Sequence, residues 1–585
     1  MIAARVTRLL PCLLLPLAAC PDDGLREASD ADVVSDGEII ADVPEPTGVE
    51  RLDWTDVRGE PIDAVTVEVS ERALRAAHAD GVVTVAGCEE GAGCDYVWLD
   101  AVGDVVKSLE DRSTLYSGII PPQADRIALV RAERTEDCGP APPYPTVVTG
   151  RYELVDVPTG ETSWSAELRS NVFADPAFLP SGRWFRVDAI PGQACETPVT
   201  VWRERAPPHA PSVWDDWRFY PADELPDGRW VGWRGEAFGV VDPDDADGFV
   251  ALGDRVDGWA AGGGWVHGFD GYGDLTEVDR ALDDAGQRVD LTLPEDHAWR
   301  GRWAWGRWLV ACRHTDETGV ALCALFDVRG EHAARELRVD TLVDQAVTFI
   351  GPGAALLVRT RDGASQRVER VPLPGGEAVV VARGEGALHP LGAAEAALWE
   401  ARDVVRLIEA DRLTTLVEGP VDQVVTLVGA PRGAAPAIGP GGPRQRALAT
   451  IVETEAVGVH RLHLFDLTTR RLVTLSERLD FGPFRAAPLL VDSCTQPWTL
   501  RSAGWAGDGY RQDARWFFFV ERAPEGAVEA PLWIVPIDLS SPPRRLGAMH
   551  PIYCHPPMAS PDGSLVVLDV DHWDGLSSQL TIARP

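Results

Sequence analysis

The chain has 585 residues and a formal net charge of −37, from 54 basic and 91 acidic side chains. Hydrophobic residues make up 45% and charged residues 25%, which is ordinary globular usage and allows a large buried core. So acidic a chain is unsuited to polyanionic partners, because proteins that bind DNA or RNA carry a basic face, and we expect no nucleic-acid partner. The single lysine, Lys107, follows a valine, so the lysine-after-glycine of a phosphate-binding loop is missing.

The first twenty residues have the pattern of an export signal. Arg5 and Arg8 precede an apolar run from Leu9 to Leu17, which is too short to span a bilayer as a helix but suits a signal peptide. The following end, LAAC with Cys20 last, resembles the bacterial lipobox. That resemblance implies that residues 1–19 are a lipoprotein signal peptide and that Cys20 carries a diacylglycerol and acyl chains such as palmitate, which together anchor firmly. An ordinary secretory signal with an incidental cysteine is the alternative.

Residues 20–50 are predicted to form an acidic, disordered tether. Ten of residues 21–50 are acidic and only Arg26 is basic, so the segment repels itself and has little apolar surface to bury. No later stretch approaches eighteen apolar residues, so we expect no other membrane-spanning segment. The sequence thus predicts an extracytoplasmic protein, lipid-anchored to a bacterial membrane in the periplasm or at the cell surface.

Eight cysteines follow Cys12 and Cys20, an even number that favours disulfides in an exported chain. Paired C-x-x-C spacing, which a structural metal site would need, is missing. We expect local pairing, with the third pair crossing one hairpin. The expected pairs are Cys88–Cys94, Cys138–Cys195, Cys312–Cys323 and Cys494–Cys554.

A turn followed by an apolar strand recurs along the chain. The copies are "PSGRWFRV" from Pro180, "PDGRWVGW" from Pro226, "WGRWLVAC" from Trp305, "DARWFFFV" from Asp513 and "PDGSLVVL" from Pro561. Proline presets φ and glycine supplies a positive φ, so Pro-Asp-Gly predicts a tight turn. The aromatic and β-branched run behind it predicts a buried strand.

A second element follows each turn and reads apolar–x–apolar–Asp–apolar, then another turn and strand. The aspartate or its equivalent falls near positions 156, 242, 279, 327, 372, 411, 466 and 538. Spacings of mostly about 40 to 55 residues are typical of a four-stranded propeller blade with variable loops. Convincing amphipathic helical stretches are scarce, which favours an all-β chain.

Inner strands of such units are predicted near residues 82, 127, 184, 230, 265, 308, 356, 397, 448, 516 and 566. Eleven exceed one usual ring. We therefore expect a β-propeller of about seven or eight four-stranded blades over residues 211–585, preceded by a smaller β-rich region, 51–210, that forms extra blades or a separate domain. The last copy lacks an outermost strand, and we expect a strand from earlier in the chain to complete it and remove an exposed edge.

The last copy also carries a family resemblance. Ser560-Pro561-Asp562-Gly563, with the apolar run Leu565–Leu568 behind it, resembles the TolB-like propeller repeat, in which an S-P-D-G turn starts an inner strand. The resemblance spans roughly residues 120–585 and weakens before the last copy. It implies a fold and no particular activity.

Tryptophan is unusually frequent, with 21 residues. Packing between blades is the default use of such rings. The functional alternative is a platform on which a sugar or peptide stacks, with arginine supplying bidentate hydrogen bonds. In "AWRGRWAWGRW" a strand would place three tryptophans on one face and two arginines on the other, and a loop-rich insertion holds three further candidates. The candidate residues are Trp299, Trp303, Trp305, Arg300, Arg302, Trp214, Trp217 and Trp233.

Metal-binding signals are weak, and we predict no cofactor. In "DVDHWDG" the acids Asp569, Asp571 and Asp574 resemble a calcium loop, but the terminal bidentate glutamate is missing, so a hairpin turn is favoured and calcium is the alternative. The stretch "DPDDADGFVALGD" from Asp242 is treated in the same way. His460 and His463 lie three apart, so on a strand they point to opposite faces and cannot easily share a metal.

Two functions remain open at this point, and no catalytic residue is identified. The favoured one is a non-enzymatic lipoprotein whose propeller holds a protein or a cell-envelope glycan on its loop face, since the serine-hydrolase elbow G-x-S-x-G and H-E-x-x-H are missing. The alternative is an exported hydrolase or lyase that acts on a glycan or ester at the propeller mouth, which needs carboxylates, or a histidine and an acid, that converge there.

Overall fold

Strands and tight turns make up the described part of the chain in this computed structural model, and no helix occurs within it. The structure describes residues 48–585 with gaps in the loops. The gaps of eight or more residues are 138–145, 188–200, 204–211, 293–301, 427–447, 480–497, 500–515 and 550–557. No helix in the described ranges is long and apolar enough to cross a membrane.

Forty-five strands form eleven sheets in the described residues, numbered here in chain order. Two strands, β1 (Glu50–Asp53) and β2 (Ala64–Val69), precede the first sheet. Sheets 1 to 5 are β3 (Leu74–His78), β4 (Gly81–Glu89), β5 (Gly93–Asp100), β6 (Val105–Asp111); β7 (Tyr116–Ile119), β8 (Arg126–Asp137), β9 (Thr146–Asp156), β10 (Thr162–Asn171); β11 (Ala177–Phe178), β12 (Trp184–Val187), β13 (Val201–Arg203), β14 (Ser212–Trp214); β15 (Phe219–Glu224), β16 (Trp230–Arg234), β17 (Ala237–Asp242), β18 (Asp245–Asp254); and β19 (Val256–Gly262), β20 (Trp265–Asp270), β21 (Val278–Leu282), β22 (Arg288–Thr292).

Sheets 6 to 10 continue the series with four consecutive strands each, and sheet 11 has three strands from this part of the chain. They are β23 (Arg302–Trp305), β24 (Trp308–Cys312), β25 (Val320–Asp327), β26 (Arg335–Asp340); β27 (Val347–Ile350), β28 (Ala355–Asp362), β29 (Ser365–Pro372), β30 (Val379–Arg383); β31 (Gly386–Leu391), β32 (Ala396–Ala401), β33 (Val404–Ile408), β34 (Leu413–Glu418); β35 (Val421–Thr426), β36 (Leu448–Ala456), β37 (Val459–Asp466), β38 (Arg471–Leu479); β39 (Trp498–Thr499), β40 (Trp516–Val520), β41 (Ala530–Pro536), β42 (Arg544–Met549); and β43 (Met558–Ala559), β44 (Val566–Asp571), β45 (Ser578–Ala583).

Neighbouring sheets pack face to face and share their hydrophobic cores. Shared clusters join sheets 4 and 5, then each following pair up to sheets 10 and 11, and a last cluster joins sheet 11 to sheet 1. The first strands of several neighbours also touch, as β19 touches β23 and β23 touches β27. Antiparallel four-stranded sheets that stack in series with their first strands together form a β-propeller.

Strand β40 shows why the sequence has continuous apolar runs. Phe517 and Phe519 pack toward sheet 9, whereas Phe518 and Val520 pack toward sheet 11. Successive side chains of a strand point to opposite faces, so a strand covered on both faces must be apolar at every position. The predicted run "WFFFV" is therefore a strand between two neighbouring sheets.

All eleven predicted strands are present, and each is the second strand of its sheet, from β4 in sheet 1 to β44 in sheet 11. Each of them is an inner strand of its sheet, as predicted, and one further strand precedes it in the sheet. Eight sheets begin at or after Phe219 and three precede it. These numbers agree with the predicted seven or eight blades and smaller β-rich region; the domain boundary at residue 210 stays a prediction.

The N-terminal segment 48–69, called the strap here, runs along the outer edges of three consecutive sheets. Strand β1 adds to β38 in parallel as a fifth strand of sheet 9, the segment 54–63 crosses sheet 10, and β2 pairs antiparallel with β45 as the fourth strand of sheet 11. The prediction that an earlier strand completes the last sheet is confirmed. Since that strand lies over 500 residues before its partner, from Ala64 to Ala583, it joins the two ends of the described chain.

Candidate functional site

Aspartates at or just after the ends of third strands close the outer hairpins. The carboxylates of Asp156, Asp327, Asp466 and Asp538 each accept a hydrogen bond from a backbone N–H two or three residues later, at 2.9 to 3.1 Å. Asparagine and aspartate favour such turns because the side chain replaces a backbone acceptor. The recurring aspartate of the sequence pattern is thus a turn residue in these four sheets.

In sheet 5 the register differs from the sequence interpretation. Asp279, which the pattern singled out, lies inside β21, and Asp283 takes the turn position, where its carboxylate accepts the N–H of Gln287 at 2.7 Å. The following Gly286 has φ +74°, which favours glycine, and its N–H donates to the Asp283 carbonyl at 2.9 Å. The turn is therefore built four residues later than predicted.

One of these turn aspartates belongs to a larger polar cluster at the outer turn of sheet 6. Trp308 begins β24 and lies directly opposite Asp327, the last residue of β25. Arg307 precedes Trp308, and its guanidinium lies over the indole with its Cζ 5.2 Å from the ring centroid. The Asp327 side chain is fully buried, whereas that of His332 in the next turn is 36% exposed.

Four charged or titratable side chains meet in this cluster. The Asp327 Oδ2 is 2.7 Å from His332 Nδ1 and 3.2 Å from Arg307 Nη2. The other terminal nitrogen of Arg307, Nη1, donates to Glu331 Oε2 at 2.6 Å. His332 Nδ1 cannot both donate to the carboxylate and accept from Arg307 Nη2, which lies 2.9 Å away. A buried carboxylate is a stronger hydrogen-bond acceptor than a neutral imidazole nitrogen. We therefore place a proton on His332 Nδ1, which donates to Asp327 Oδ2.

The same cluster is the one described group of three side chains whose donor atoms converge as a metal site requires. Single donor atoms of Asp327, Glu331 and His332 lie within 4.8 Å of one another. The guanidinium of Arg307, however, contacts all three of them. A cation already pairs with both carboxylates, and a metal ion would have to displace it. The arrangement as it stands is an ion-pair network that ties the outer turn of sheet 6 to the start of β24.

Sheet 5 assembles an equivalent network with a side chain from its neighbour. Its second strand begins with Trp265, but the preceding residue is Gly264 where sheet 6 has Arg307. Arg329 of sheet 6 fills the place: its Cζ is 5.1 Å from the Trp265 ring centroid, and its Nη2 is 3.0 Å from Asp283 Oδ2. Arginine over an indole and paired with a turn aspartate thus occurs in both sheets, and in sheet 5 it crosses the seam between blades.

Two of the predicted ligand-binding tryptophans lie between blades. Trp303 and Trp305 are half-buried and pack against the core shared by sheets 6 and 7, while Ala304 packs toward sheet 5. The Trp305 indole touches turn glycines of both neighbours: a side chain at Gly353 would lie 3.1 Å from its Cδ1, and one at Gly262 would overlap the ring. This geometry supports packing as their role.

The structure describes the remaining predicted ligand-binding residues only in part. Trp233 is half-buried and packs on Phe238, with ring centroids 5.0 Å apart. Trp214 ends β14 and Arg302 begins β23, and their side chains lie outside the description. Ligand binding by this set stays a prediction. The candidates outside the described residues are Trp217, Trp299 and Arg300.

The two acidic stretches that resemble calcium loops in sequence lie in different parts of their sheets. Asp569 and Asp571 lie on β44, and Asp574 falls outside the described residues, so a calcium site there stays untested. In the other stretch, Asp245–Asp254 form the extended strand β18. An EF-type loop wraps around its ion, which an extended strand does not do, so that stretch is not a calcium loop.

One predicted disulfide is confirmed. Cys312 and Cys323 are directly opposite on β24 and β25, both are buried, and their sulfurs are bonded. Cys88 and Cys94 lie on the neighbouring strands β4 and β5, with side chains outside the description. The predicted lipidation site and four more cysteines fall outside the described residues: Cys20, Cys138, Cys195, Cys494 and Cys554.

The two histidines of β37 have separate partners. His460 Nδ1 is 3.2 Å from Thr454 Oγ1, whereas His463 Nε2 is 3.2 Å from Glu453 Oε2. The hydrogen bond from His463 is the largest influence on Glu453 and, with the charge of Arg461, holds the pKa of Glu453 below its ordinary value against the opposing effect of burial. This buried pair stabilises sheet 9 and has no metal-site geometry.

Comparison with known proteins finds low structural similarity and no matching family. No protein-family model matches the sequence, and no curated protein matches it. A eukaryotic initiation factor is 10% identical, with a TM-score of 0.30 over 83% of this chain and 89% of that one. Apo AztD from Citrobacter koseri is 10% identical, with a TM-score of 0.29 over 68% and 91%. TolB from Acinetobacter baumannii is 12% identical, with a TM-score of 0.19 over 54% and 78%. Similarities this low carry no argument about activity, and the propeller assignment rests on the sheets themselves.

Proposed function

We propose that the protein is a membrane-anchored, extracytoplasmic bacterial lipoprotein whose propeller binds or scaffolds a protein or a cell-envelope glycan. The LAAC sequence that ends at Cys20 carries the anchoring half of this proposal. The 29 residues from Pro21 to Val49 connect that cysteine to β1. Fully extended, they would reach about 100 Å, enough to hold the propeller clear of a membrane surface.

A binding role is favoured over catalysis by the chemistry of the described polar cluster. The arrangement closest to a catalytic one among the described residues is the buried Asp327 with the half-exposed His332. Arg307 and Glu331 complete that group as an ion-pair network, and the described part places no serine or cysteine nucleophile in its hydrogen bonds. We therefore propose that the protein acts by binding a partner on the surface of its blades and not through a reacting group.

The acidic surface narrows the class of partner. A net charge of −37 repels polyanionic glycans, attracts basic surfaces and leaves binding of uncharged ones to other contacts. We accordingly propose a protein with a basic patch, or an uncharged glycan, as the partner. Association with a basic protein weakens as salt screens the opposite charges.

Two measurements test the proposal. Metabolic labelling with a palmitate analogue, followed by membrane fractionation, is expected to label the wild type and leave it in the membrane fraction. The Cys20→Ser variant is expected to lose both properties, and a labelled variant would refute lipidation at this residue.

Binding is tested separately by crosslinking in intact cells and by capture on immobilised neutral glycans. By crosslinking, we expect a recurrent protein partner whose recovery falls as ionic strength rises. By capture, we expect retention on a neutral glycan if a glycan is the partner. Repeated recovery of no protein and no glycan, from cells in which the wild type is correctly anchored, would refute the binding role while leaving the anchor intact.

A further inference from the structure

The strap is attached to its three sheets by contacts of different kinds. Sheets 1 to 10 each contain four consecutive strands, and sheet 9 alone among the described sheets has a fifth. That fifth strand, β1, is parallel to β38, whereas the other strand pairs are antiparallel. Removing β1 would leave a complete four-stranded sheet, but removing β2 would leave sheet 11 with three strands. Sheet 11 therefore needs β2 to reach four strands, whereas sheet 9 does not need β1.

Surface contacts hold β1. Three of its four residues are exposed. Its ion pair, from Glu50 to Arg471 at 2.7 Å, joins side chains that are 51% and 35% exposed, and exposed pairs contribute little to stability. Arg51 reaches the carbonyls of Leu416 and Thr415 at 2.7 and 2.9 Å, and Leu52 is only partly buried. A short parallel strand with these contacts is a weakly held addition to its sheet.

The crossing segment 54–63 is fastened to sheet 10 at Arg58 and, near its end, at Ile62, which is buried in the core shared by sheets 10 and 11. The Arg58 Nη2 is 2.8 Å from Glu521 Oε1, and its Cζ is 4.6 Å from the centroid of the Trp533 ring. The same Glu521 oxygen accepts from the buried Ser476 hydroxyl at 2.7 Å, which fixes the carboxylate in place. Two backbone bonds accompany this contact, from Gly59 to Pro543 at 2.9 Å and from Ile62 to Arg545 at 3.0 Å.

Strand β2 is attached more strongly. All six of its residues pair in antiparallel register with β45, from Ala64 opposite Ala583 to Val69 opposite Ser578. Val67 also lies against the turn of sheet 1, where a side chain on Gly103 would overlap it. Loss of this strand would expose the edge of sheet 11 and disturb the core that joins sheets 11 and 1.

From this hierarchy we infer that the strap is a two-stage latch: residues 48–61 release from sheets 8 to 10 as one unit while Ile62 stays in its core and β2 remains paired with β45, and Arg58 controls the release. Release frees 14 residues, which lengthens the connection to β2 by up to about 50 Å and leaves all eleven sheets with four strands. In the anchored protein, a consequence that rests on the proposed function, the propeller would gain that distance from the membrane without unfolding a blade.

Amide hydrogen exchange on the full chain tests the latch directly, because exchange reports local opening separately from global unfolding. The amides of Glu50, Trp54 and Gly59, which donate to carbonyls of sheets 9 and 10, form one group. The β2 amides that pair with β45 form the other. We expect the first group to exchange at least tenfold faster and with little dependence on low concentrations of urea, and the second to follow global unfolding.

The variant Arg58→Met keeps an apolar side chain over Trp533 and removes the charge. It is expected to accelerate exchange of the first group by a further tenfold or more and the β2 amides by about the same factor, because the Arg58 contacts are lost both on release and on global unfolding. The matched control is Arg307→Met, which removes another arginine that pairs with a carboxylate and covers an indole, but in sheet 6. Because sheet 6 stays folded when the strap releases, this control is expected to accelerate the β2 amides and to leave the first group within twofold.

Three outcomes would overturn the latch. Equal rates and equal urea dependence for the two groups in the wild type would show that the strap opens only with the whole fold. An Arg58→Met variant that leaves the first group unchanged would remove Arg58 as the control point, and an Arg307→Met variant that accelerates both groups equally would exclude a separate release of the strap. The wild-type comparison decides the first point even if the variant folds poorly, and none of these results depends on whether Cys20 is lipidated.

Discussion

Replacing Arg307 by methionine tests whether the guanidinium is the resident cation of the sheet 6 cluster. Removing one partner of a fully buried ion pair costs roughly 3–5 kcal/mol. Here Arg307 is 26% exposed, and Asp327 keeps its hydrogen bonds from His332 and from the Arg329 N–H at 3.1 Å. We therefore expect a loss of about 2 kcal/mol in the free energy of unfolding, toward the net value of a charged hydrogen bond.

The same substitution is expected to create a metal site. Without the guanidinium, Asp327, Glu331 and His332 present three converging donors of the types that zinc accepts. Zinc at a hundred times its dissociation constant would restore about 2.7 kcal/mol to the variant and nothing to the wild type.

Urea unfolding followed by tryptophan fluorescence, with and without zinc, measures both effects. The control is Arg288→Met, which removes an exposed pair with Asp290 and is expected to change stability by less than about 0.5 kcal/mol. An Arg307→Met variant as stable as that control, or a wild type that zinc stabilises equally, would refute the assignment of Arg307 as the cation.

Three further changes probe other parts of the fold. Replacing Cys312 and Cys323 together by alanine opens a loop with a sequence separation of 11 and is expected to lower stability by about 3 kcal/mol in non-reducing urea titrations; a loss below about 1 kcal/mol would contradict this. The pKa of Glu453 is held below its ordinary value of 4.5, so its pairing with His463 stabilises the fold above that pH and is lost as pH falls through the lower, folded-state pKa. Glu453→Gln should therefore flatten the acid limb of stability against pH, and an unchanged limb would exclude the pair as its cause. Gly262→Ala overlaps the neighbouring indole and is expected to cost about 1–3 kcal/mol, measured by the urea midpoint, with a neutral effect refuting the tight contact.

The second strands could be predicted from sequence because their burial leaves a local signal. Strands such as β24 and β40 are covered on both faces and paired on both edges, so nearly every position is apolar. The Cys312–Cys323 pair was predictable for a related reason, since two cysteines flank one hairpin. First strands carry less of this signal: β23 mixes Arg302 with aromatic residues, and β27 has four residues.

Non-local contacts could not be read in the same way. Strand β1 is the charged sequence Glu50–Asp53, and its partner β38 begins more than 400 residues later, so no local pattern marks the pairing. Arg329 replaces an arginine missing before Trp265 only because sheets 5 and 6 are neighbours. His332 lies outside the repeat pattern, in an outer turn. Strand existence is therefore a local property of this sequence, whereas the polar cluster and the strap depend on which sheets meet.

The single lysine lies at a seam between two sheets. Lys107 is in β6, the outer strand of sheet 1, and its ammonium donates to the carbonyls of Thr159 and Gly160 in the turn before β10 of sheet 2. If the α-amine is acylated with the rest of the anchor, this is the one primary amine left in the chain. An amine-reactive fluorophore would then attach at one known point, and its rate of attachment would report how often that seam opens.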